Sequence, residues 1–443
     1  MQSITNSSED TLVNSLSFKL PGTGSYVTER KSCTYHPEGS GSYSASSGTR
    51  VLKFRLSSDG WLDPSTFRIM FNVVNDDRGV ITNGIGAKKL RPLGDVYAFF
   101  SRMRISIRGI IIEDISDFNR LSHMFSLLQS EGSRKNERCE GFGYNDNIDN
   151  LDDTALLIGI DTHQTVMFKP LSGFFNQEKF LPLKYCPIEI ELELCSDSNE
   201  PIVSLANAEF TAANTSYKWK LENCMVKTDV VTLDSTMDNK YTEHLSSGKS
   251  IPIVYDTYIS SFQSIVSPDS QINVSRSLTK LKSIFITLDK NFGAGTARET
   301  YFNKSYNNFY SPMAVNQITD ALDHVQANEI ESLQVQIGSM QIPQYPVQSH
   351  AECFYMLKKA MGYHVSDIHS IDINGVEYRN NKFIIGIDTE RLLGVSFSGT
   401  NTKNALMTVK VKTSDANKAD RINIVLVAQQ VLEIGSVGID VFD

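Results

Sequence analysis

Met103-Arg104-Ile105-Ser106-Ile107-Arg108-Gly109 alternates apolar and polar residues up to a glycine, and Leu333-Gln334-Val335-Gln336-Ile337-Gly338 does the same. Strict alternation is the period of a β-strand with one buried face. Ile110 to Ile112 follow the first run, and Met340 and Ile342 follow the second. A helical stripe comes next in each case. The first is Ile115, Phe118, Leu121, Phe125 and Leu128, and the second is Ala351, Phe354, Leu357 and Met361. Ser349 and Glu352 have the spacing of a capping box at the start of the second helix. Gly109 and Gly338, and likewise Phe125 and Phe354, are 229 residues apart.

The correspondence continues downstream. Ile158-Gly159-Ile160-Asp161-Thr162 recurs as Ile385-Gly386-Ile387-Asp388-Thr389, and a Phe followed by Ser-Gly comes after each copy (Phe168 with Ser172-Gly173, Phe397 with Ser398-Gly399). Pro187 to Leu194 matches Ala405 to Lys412, and Trp219 to Val231 matches Ile424 to Ile434. A coherent order of strand, helix, turn and strand predicts two copies of one fold. The run Ile188, Ile190, Leu192, Leu194 alternates with Glu189, Glu191 and Glu193, so one face is solvated and the sheet is antiparallel. Each copy has room for about eight strands with one helix between them, and eight antiparallel strands in two packed sheets make a jelly roll.

The expected fold is therefore all-β: two tandem antiparallel eight-stranded jelly-roll β-sandwiches, each with a short inserted helix. The first spans residues 49–228, a linker covers 229–249, and the second spans 250–443. Residues 1–48 are rich in Ser, Gly and Thr and are expected to be a flexible arm. Removing residues 1–40 is expected to leave a folded protein with impaired assembly.

Composition excludes several classes. The chain has 443 residues, 21% charged and 40% hydrophobic, with a net charge of −9. Phosphate binding needs Lys and Arg in excess, so a general nucleic-acid binder is a poor fit. Within Met1 to Arg50, Lys19, Arg30, Lys31 and Arg50 are offset by Glu9, Asp10, Glu29 and Glu38, which argues against genome condensation by the arm. Met1 to Asp10 lacks the basic-then-apolar order of a signal peptide. No apolar run approaches the length of a membrane helix. Cys33, Cys139, Cys186, Cys195, Cys224 and Cys353 contain no CxxC and are expected to be reduced. The sequons at Asn6, Asn214, Asn273 and Asn303 are expected to be unused.

No catalytic, cofactor-binding or metal-binding residues are expected. Ser247-Gly248-Lys249-Ser250 ends like a phosphate loop, but Glu243 stands where that motif needs glycine. Cys33 and His36 have ligand-like spacing without the further pair that zinc needs. Glu113, Asp114 and Asp117 are expected at the positive end of the helix that follows them. A cation is the alternative there, and also at the acidic stretch Asp146 to Asp153, which lacks the terminal Glu of an EF-hand. No GxSxG elbow is present.

Trp61-Leu62-Asp63-Pro64, Phe99-Phe100-Ser101-Arg102-Met103-Arg104, Gly109 and Glu113-Asp114-Ile115-Ser116-Asp117-Phe118-Asn119-Arg120, together with the tandem repeat, resemble major capsid proteins of the double jelly-roll lineage of eukaryotic double-stranded DNA viruses. Within that lineage the chain resembles the smaller virophage and Polinton-like forms. The resemblance covers most of residues 49–443. Many relatives carry large loop towers, whereas the candidate loops here, Asp76 to Tyr97, Ser130 to Asp153 and Asn291 to Glu329, are short. The resemblance implies a homotrimer forming a pseudo-hexagonal capsomer in an icosahedral shell. It also implies penton and minor capsid partners, a virion location, no enzyme activity and no cofactor. Two other readings of a tandem sandwich are a lectin-like or adhesin module and a hydrolase with hidden carboxylates.

Overall fold

A computed structural model of the chain describes residues 26–39, 41–46, 49–77, 88–136, 139–142, 157–202, 215–290, 306–312, 332–362, 371–390, 399–413, 418–436 and 438–442. Sixteen of the described strands fall into two sets of eight. The first set is β1 (Val27–Tyr35), β2 (Val51–Leu56), β3 (Trp61–Asn75), β4 (Phe100–Ile107), β5 (Ile110–Ser116), β6 (His163–Phe168), β7 (Ile188–Leu194) and β8 (Trp219–Leu233). The second is β9 (Ile251–Ser264), β10 (Asp269–Val274), β11 (Leu281–Asp289), β12 (Ser332–Ile337), β13 (Met340–Val347), β14 (Ile385–Asp388), β15 (Met407–Lys412) and β16 (Arg421–Ile434).

The first set pairs as β1-β8-β3-β6 and β2-β7-β4-β5, and the second as β9-β16-β11-β14 and β10-β15-β12-β13. Adding eight to each number of the first set gives the second, so the repeat holds at the level of topology. These are two tandem jelly-roll β-sandwiches. Between β5 and β6 lies helix α1 (Phe118–Leu127). Helix α2 (Ser235–Ser246) joins the sandwiches, and helix α3 (His350–Ala360) lies between β13 and β14. Among the described residues no helix is long and apolar enough to cross a membrane.

The strand pattern follows the residues. In β7 the residues Ile188, Ile190, Leu192 and Leu194 are fully buried, while Glu189 and Glu191 face outward. Each buried aliphatic side chain contributes about 1.5–3 kcal/mol. The outward acids meet Lys53 of β2 at 3.3 and 3.4 Å, and Arg104 of β4 lies 3.6 Å from Glu191. The β4–β5 hairpin turns through Arg108 and Gly109, both at positive φ (50° and 83°). This is the backbone hand a tight hairpin requires.

The sequence correspondence needs two adjustments. Ile107 pairs with Ile110, and Ile337 pairs with Met340, so the strands are offset by 230 residues (337 − 107) and the two glycines occupy neighbouring turn positions. The repeated pentapeptide does not mark equivalent places either. Ile158–Thr162 is a turn ahead of β6, bridged to Leu90, whereas Ile385–Asp388 is strand β14 itself. Gly386 lies under α3, where a Cβ would come 2.8 Å from the Ala360 Cβ. Gly159 would meet only Thr162, at 3.4 Å.

Three further expectations change. Residues 27–35, expected within a flexible arm, form β1, paired along β8 from Val27↔Leu233 to Tyr35↔Val226. Its polar, non-alternating residues give no strand period, and its order comes from the backbone of β8. Residues 229–249, expected as a linker, contain the end of β8 and all of α2. Asp234 caps α2, and Tyr241 packs against Trp61 at 4.7 Å, so the connection is docked on the first sandwich. Helix α1 begins at Phe118, and Ile115 belongs to β5. The capping box of α3 forms as expected, but its buried residues are Cys353 and Leu357.

Candidate functional site: the seam between the sandwiches

Strand β5 ends at Ser116, and Asp117 turns the chain into α1 with left-handed backbone (φ 52°). Nine of the ten α1 residues are buried, including Asn119, Arg120, Ser122, His123 and Ser126. A helix at the surface of one sandwich would expose such residues. They are buried because the helix lies between the two sandwiches.

Arg120 reaches from α1 into the second sandwich. Its Nη2 donates to Thr287 Oγ1 at 2.9 Å and pairs with Asp289 at the end of β11. Asp289 also pairs with Arg421 of β16 at 3.0 Å. The Arg120 guanidinium lies 4.6 Å from the Phe309 ring centre and 5.4 Å from that of Phe262. Burial raises the Asp289 carboxyl and lowers the Arg120 guanidinium, while each charge opposes the shift of the other. The guanidinium starts so high that it stays protonated at neutral pH.

His123, one turn further along, is held well below its ordinary value by burial and then by Lys382, Arg134 and Arg120. It is neutral, with Nδ1 2.8 Å from the Tyr97 hydroxyl and its ring against Tyr306 and Phe309. Tyr306 donates to the Leu93 carbonyl at 2.8 Å, which carries the second sandwich back over the first. Phe125 completes the helix contact, edge-on to Tyr258 at 5.4 Å and Phe285 at 5.3 Å.

Strand β5 forms the rest of the seam. The Tyr255 hydroxyl of β9 donates to the Ile112 carbonyl at 3.0 Å. Glu113 is 1% exposed and accepts from Ser172 Oγ at 2.5 Å and the Gly173 amide at 3.2 Å. Burial pushes its carboxyl up to about 7, against those hydrogen bonds. Gly173 touches the other sandwich so closely that a Cβ would lie 1.6 Å from the Asp256 carbonyl oxygen.

The three acids grouped by the sequence therefore separate. Glu113 faces the seam. Asp114 faces outward on β5, where Arg102 grips it at 2.7 and 2.6 Å. Burial raises the Asp114 carboxyl, but Arg102 and Arg104 together hold it below its usual value. Only Asp117 sits at the helix start, and its side chain makes no capping hydrogen bond. Burial raises its carboxyl, opposed by Arg120 and Arg421. Asp146 to Asp153, Asn6, Asn214 and Asn303 lie outside the described residues.

Ser247-Gly248-Lys249-Ser250 follows the C-terminus of α2, so no helix N-terminus points at it from that side. Cys33 lies on β1 and His36 just beyond it. All six cysteines are free thiols, and Cys186, Cys195, Cys224 and Cys353 are buried. A cleft of about 320 Å³ opens beside Phe118, Phe125, Met167 and Tyr258. Asp95 on its wall accepts from the Val96 and Phe142 amides and serves the local fold. What the seam can do chemically is lock two sandwiches into one block.

The sequence pattern includes Arg120 and Ser172 without assigning either a role, and it does not mark Asp289, Arg421 or Tyr255. The available signal was a charged residue, Asp289, closing the apolar run Leu281 to Leu288.

Two jelly rolls in tandem, with one strand order repeated and a buried seam between them, define the double jelly-roll fold. No family model and no curated protein matches the chain. Among solved structures it is similar to PBCV-1 VP54, in the crystal structure fitted into a reconstruction of the virophage Sputnik (TM-score 0.60, 14% identity, 96% of this chain and 99% of that chain). It is also similar to a chain of the Sputnik virophage solved by cryo-EM (TM-score 0.59, 10% identity, 96% and 90%). The Faustovirus major capsid protein is a third (TM-score 0.58, 9% identity, 94% and 92%). At these identities the likeness is one of fold.

Proposed function

We propose that the chain is a structural shell subunit, a major capsid protein of a double-stranded DNA virus. In this reading it associates as a homotrimer whose six jelly rolls form a pseudo-hexagonal capsomer, and capsomers tile an icosahedral shell. The observation that carries the reading is the whole-length likeness in fold to a major capsid protein. The seam supports it physically. Two copies of one sandwich fused through buried contacts make a rigid block, and three such blocks about a threefold axis present six similar sides.

The partners are the chain itself, neighbouring capsomers, a penton and minor capsid proteins, and the location is the virion after assembly in the host cell. A net charge of −9 suits a shell that does not condense the genome directly. The reading requires no catalytic turnover, cofactor or metal. The alternative of a lectin-like or adhesin module gains no support from these likenesses. Negative-stain microscopy of the purified protein tests the proposal. Trimeric blocks or shells are expected, and a field of small monomers would overturn it.

A further inference from the structure

The two halves of the repeat are dressed differently at equivalent places. In the second sandwich, Val425 of β16, Phe285 of β11 and Gly386 of β14 stand side by side in register. Phe125 of α1 packs on Phe285 and α3 packs on Gly386, and Phe285 and Val425 are each 2% exposed. In the first sandwich the equivalent strands β8, β3 and β6 carry Met225, Met70 and Met167 side by side. These methionines alternate with the fully buried Val226, Ile69 and Phe71, so they face out of the sandwich, and they remain only half-buried.

The helices show the complementary difference. Helix α1 has nine of ten residues buried, because the second sandwich covers it. Its counterpart α3 has two of eleven buried, and Tyr355 on it is 58% exposed. Helix α3 rests on Gly386 of its own β14 through Leu357 and Ala360, and its far side, with Tyr355, stays exposed; among the described residues the methionine face is only partly covered.

We infer that α3 of one copy docks, through Tyr355, on the Met70–Met225 face of a second copy, repeating between chains the seam that α1 makes within the chain. Methionine suits this place. Its thioether is adaptable and makes favourable contacts with aromatic rings. The contact is head-to-tail, helix of one copy onto sheet of the next, so it generates a ring where the rotation closes. This assignment names the self-contact of the proposed capsomer and rests on that reading.

The test replaces Tyr355 in the full chain with photoreactive benzoylphenylalanine, irradiates the assembled protein and maps the crosslinked peptides by mass spectrometry. Crosslinks between chains to peptides containing Met70 or Met225 are expected. In parallel, Tyr355→Asp and Met225→Asp are each expected to weaken self-association by at least about thirtyfold, the size of an interface hot spot. Their thermal unfolding should match that of the wild-type subunit. A wild type that associates, with crosslinks mapping only elsewhere and both variants associating as strongly, would overturn the inference and leave the capsid reading standing. A wild type that never associates would overturn both.

Discussion

Arg120 of α1 and Asp289 of β11 form an ion pair across the seam, 3% and 1% exposed, and Arg421 holds the same carboxylate from β16. Breaking a buried pair outright costs about 3–5 kcal/mol, but in Arg120→Leu the carboxylate keeps Arg421, so the loss is smaller. Arg120→Leu is expected to destabilise the protein by about 1–3 kcal/mol, the cost of a buried group left under-satisfied. The double variant Arg120→Leu/Asp289→Leu should recover a large part of the loss, because no half-paired buried carboxylate remains. Denaturant unfolding of both variants measures the difference. A double variant as unstable as the sum of the single variants would show that the pair is not coupled across the seam.

Glu113 gives stability a pH dependence with a defined sign. Its folded-state pKa of about 7 lies above the unfolded value of 4.5. Below 4.5 the carboxyl is protonated in both states and imposes no penalty. As pH rises towards 7 the unfolded chain ionises first, so stability falls, by about 3 kcal/mol in total for a shift of this size. Above 7 the loss is complete. Glu113→Gln should remove this component. The difference in unfolding free energy between wild type and variant, measured from pH 4.5 to 8, should therefore change across that window. A pH-independent difference would contradict the burial of an ionisable Glu113.

Gly173 is fixed by the approach of the other sandwich. Gly173→Ala places a Cβ where the Asp256 carbonyl stands. Relief requires the sandwiches to part, and overpacking of this kind costs about 1–3 kcal/mol. Gly132→Ala is the comparison. It lies in the helix Glu131–Asn136 with nothing near its Cβ, and it should be neutral or slightly stabilising. Equal melting temperatures for the two variants would mean that the close contact at Gly173 is absent in solution.

Truncation separates β1 from what precedes it. Deleting residues 1–40 removes β1 and its pairing along β8. The exposed backbone of β8 then becomes a free sheet edge, a known route to aggregation. The expected result is loss of cooperative unfolding, in place of the folded product that composition alone implied. Circular dichroism with a thermal melt decides it. A truncated protein that melts like the full chain would contradict the structural role of β1.

The strands that could be read from sequence were those with one wet face. β7 alternates Ile and Leu with Glu, and β4 and β12 alternate up to a glycine, so their period was visible. β1 was missed because its residues are polar on both faces and its order is borrowed from β8. β14 looked like a turn because its Gly386 accommodates α3, a tertiary contact with no local signature. The seam was the least legible part. Glu113 and Asp114 are adjacent in sequence yet face opposite ways, one bound by Ser172 and the other by Arg102. Asp289 and Arg120 are 169 residues apart (289 − 120), and only the packing of α1 on β11 joins them.

The central claim is that this double jelly roll works by associating with itself. Sedimentation velocity across a wide concentration range, repeated with a chelator present, tests it most directly. The account predicts a species of three times the 49.5 kDa chain mass that is unaffected by chelation. Dissociation at the lowest concentrations would be consistent with this, as mass action requires. A stable monomer at every concentration would contradict the account.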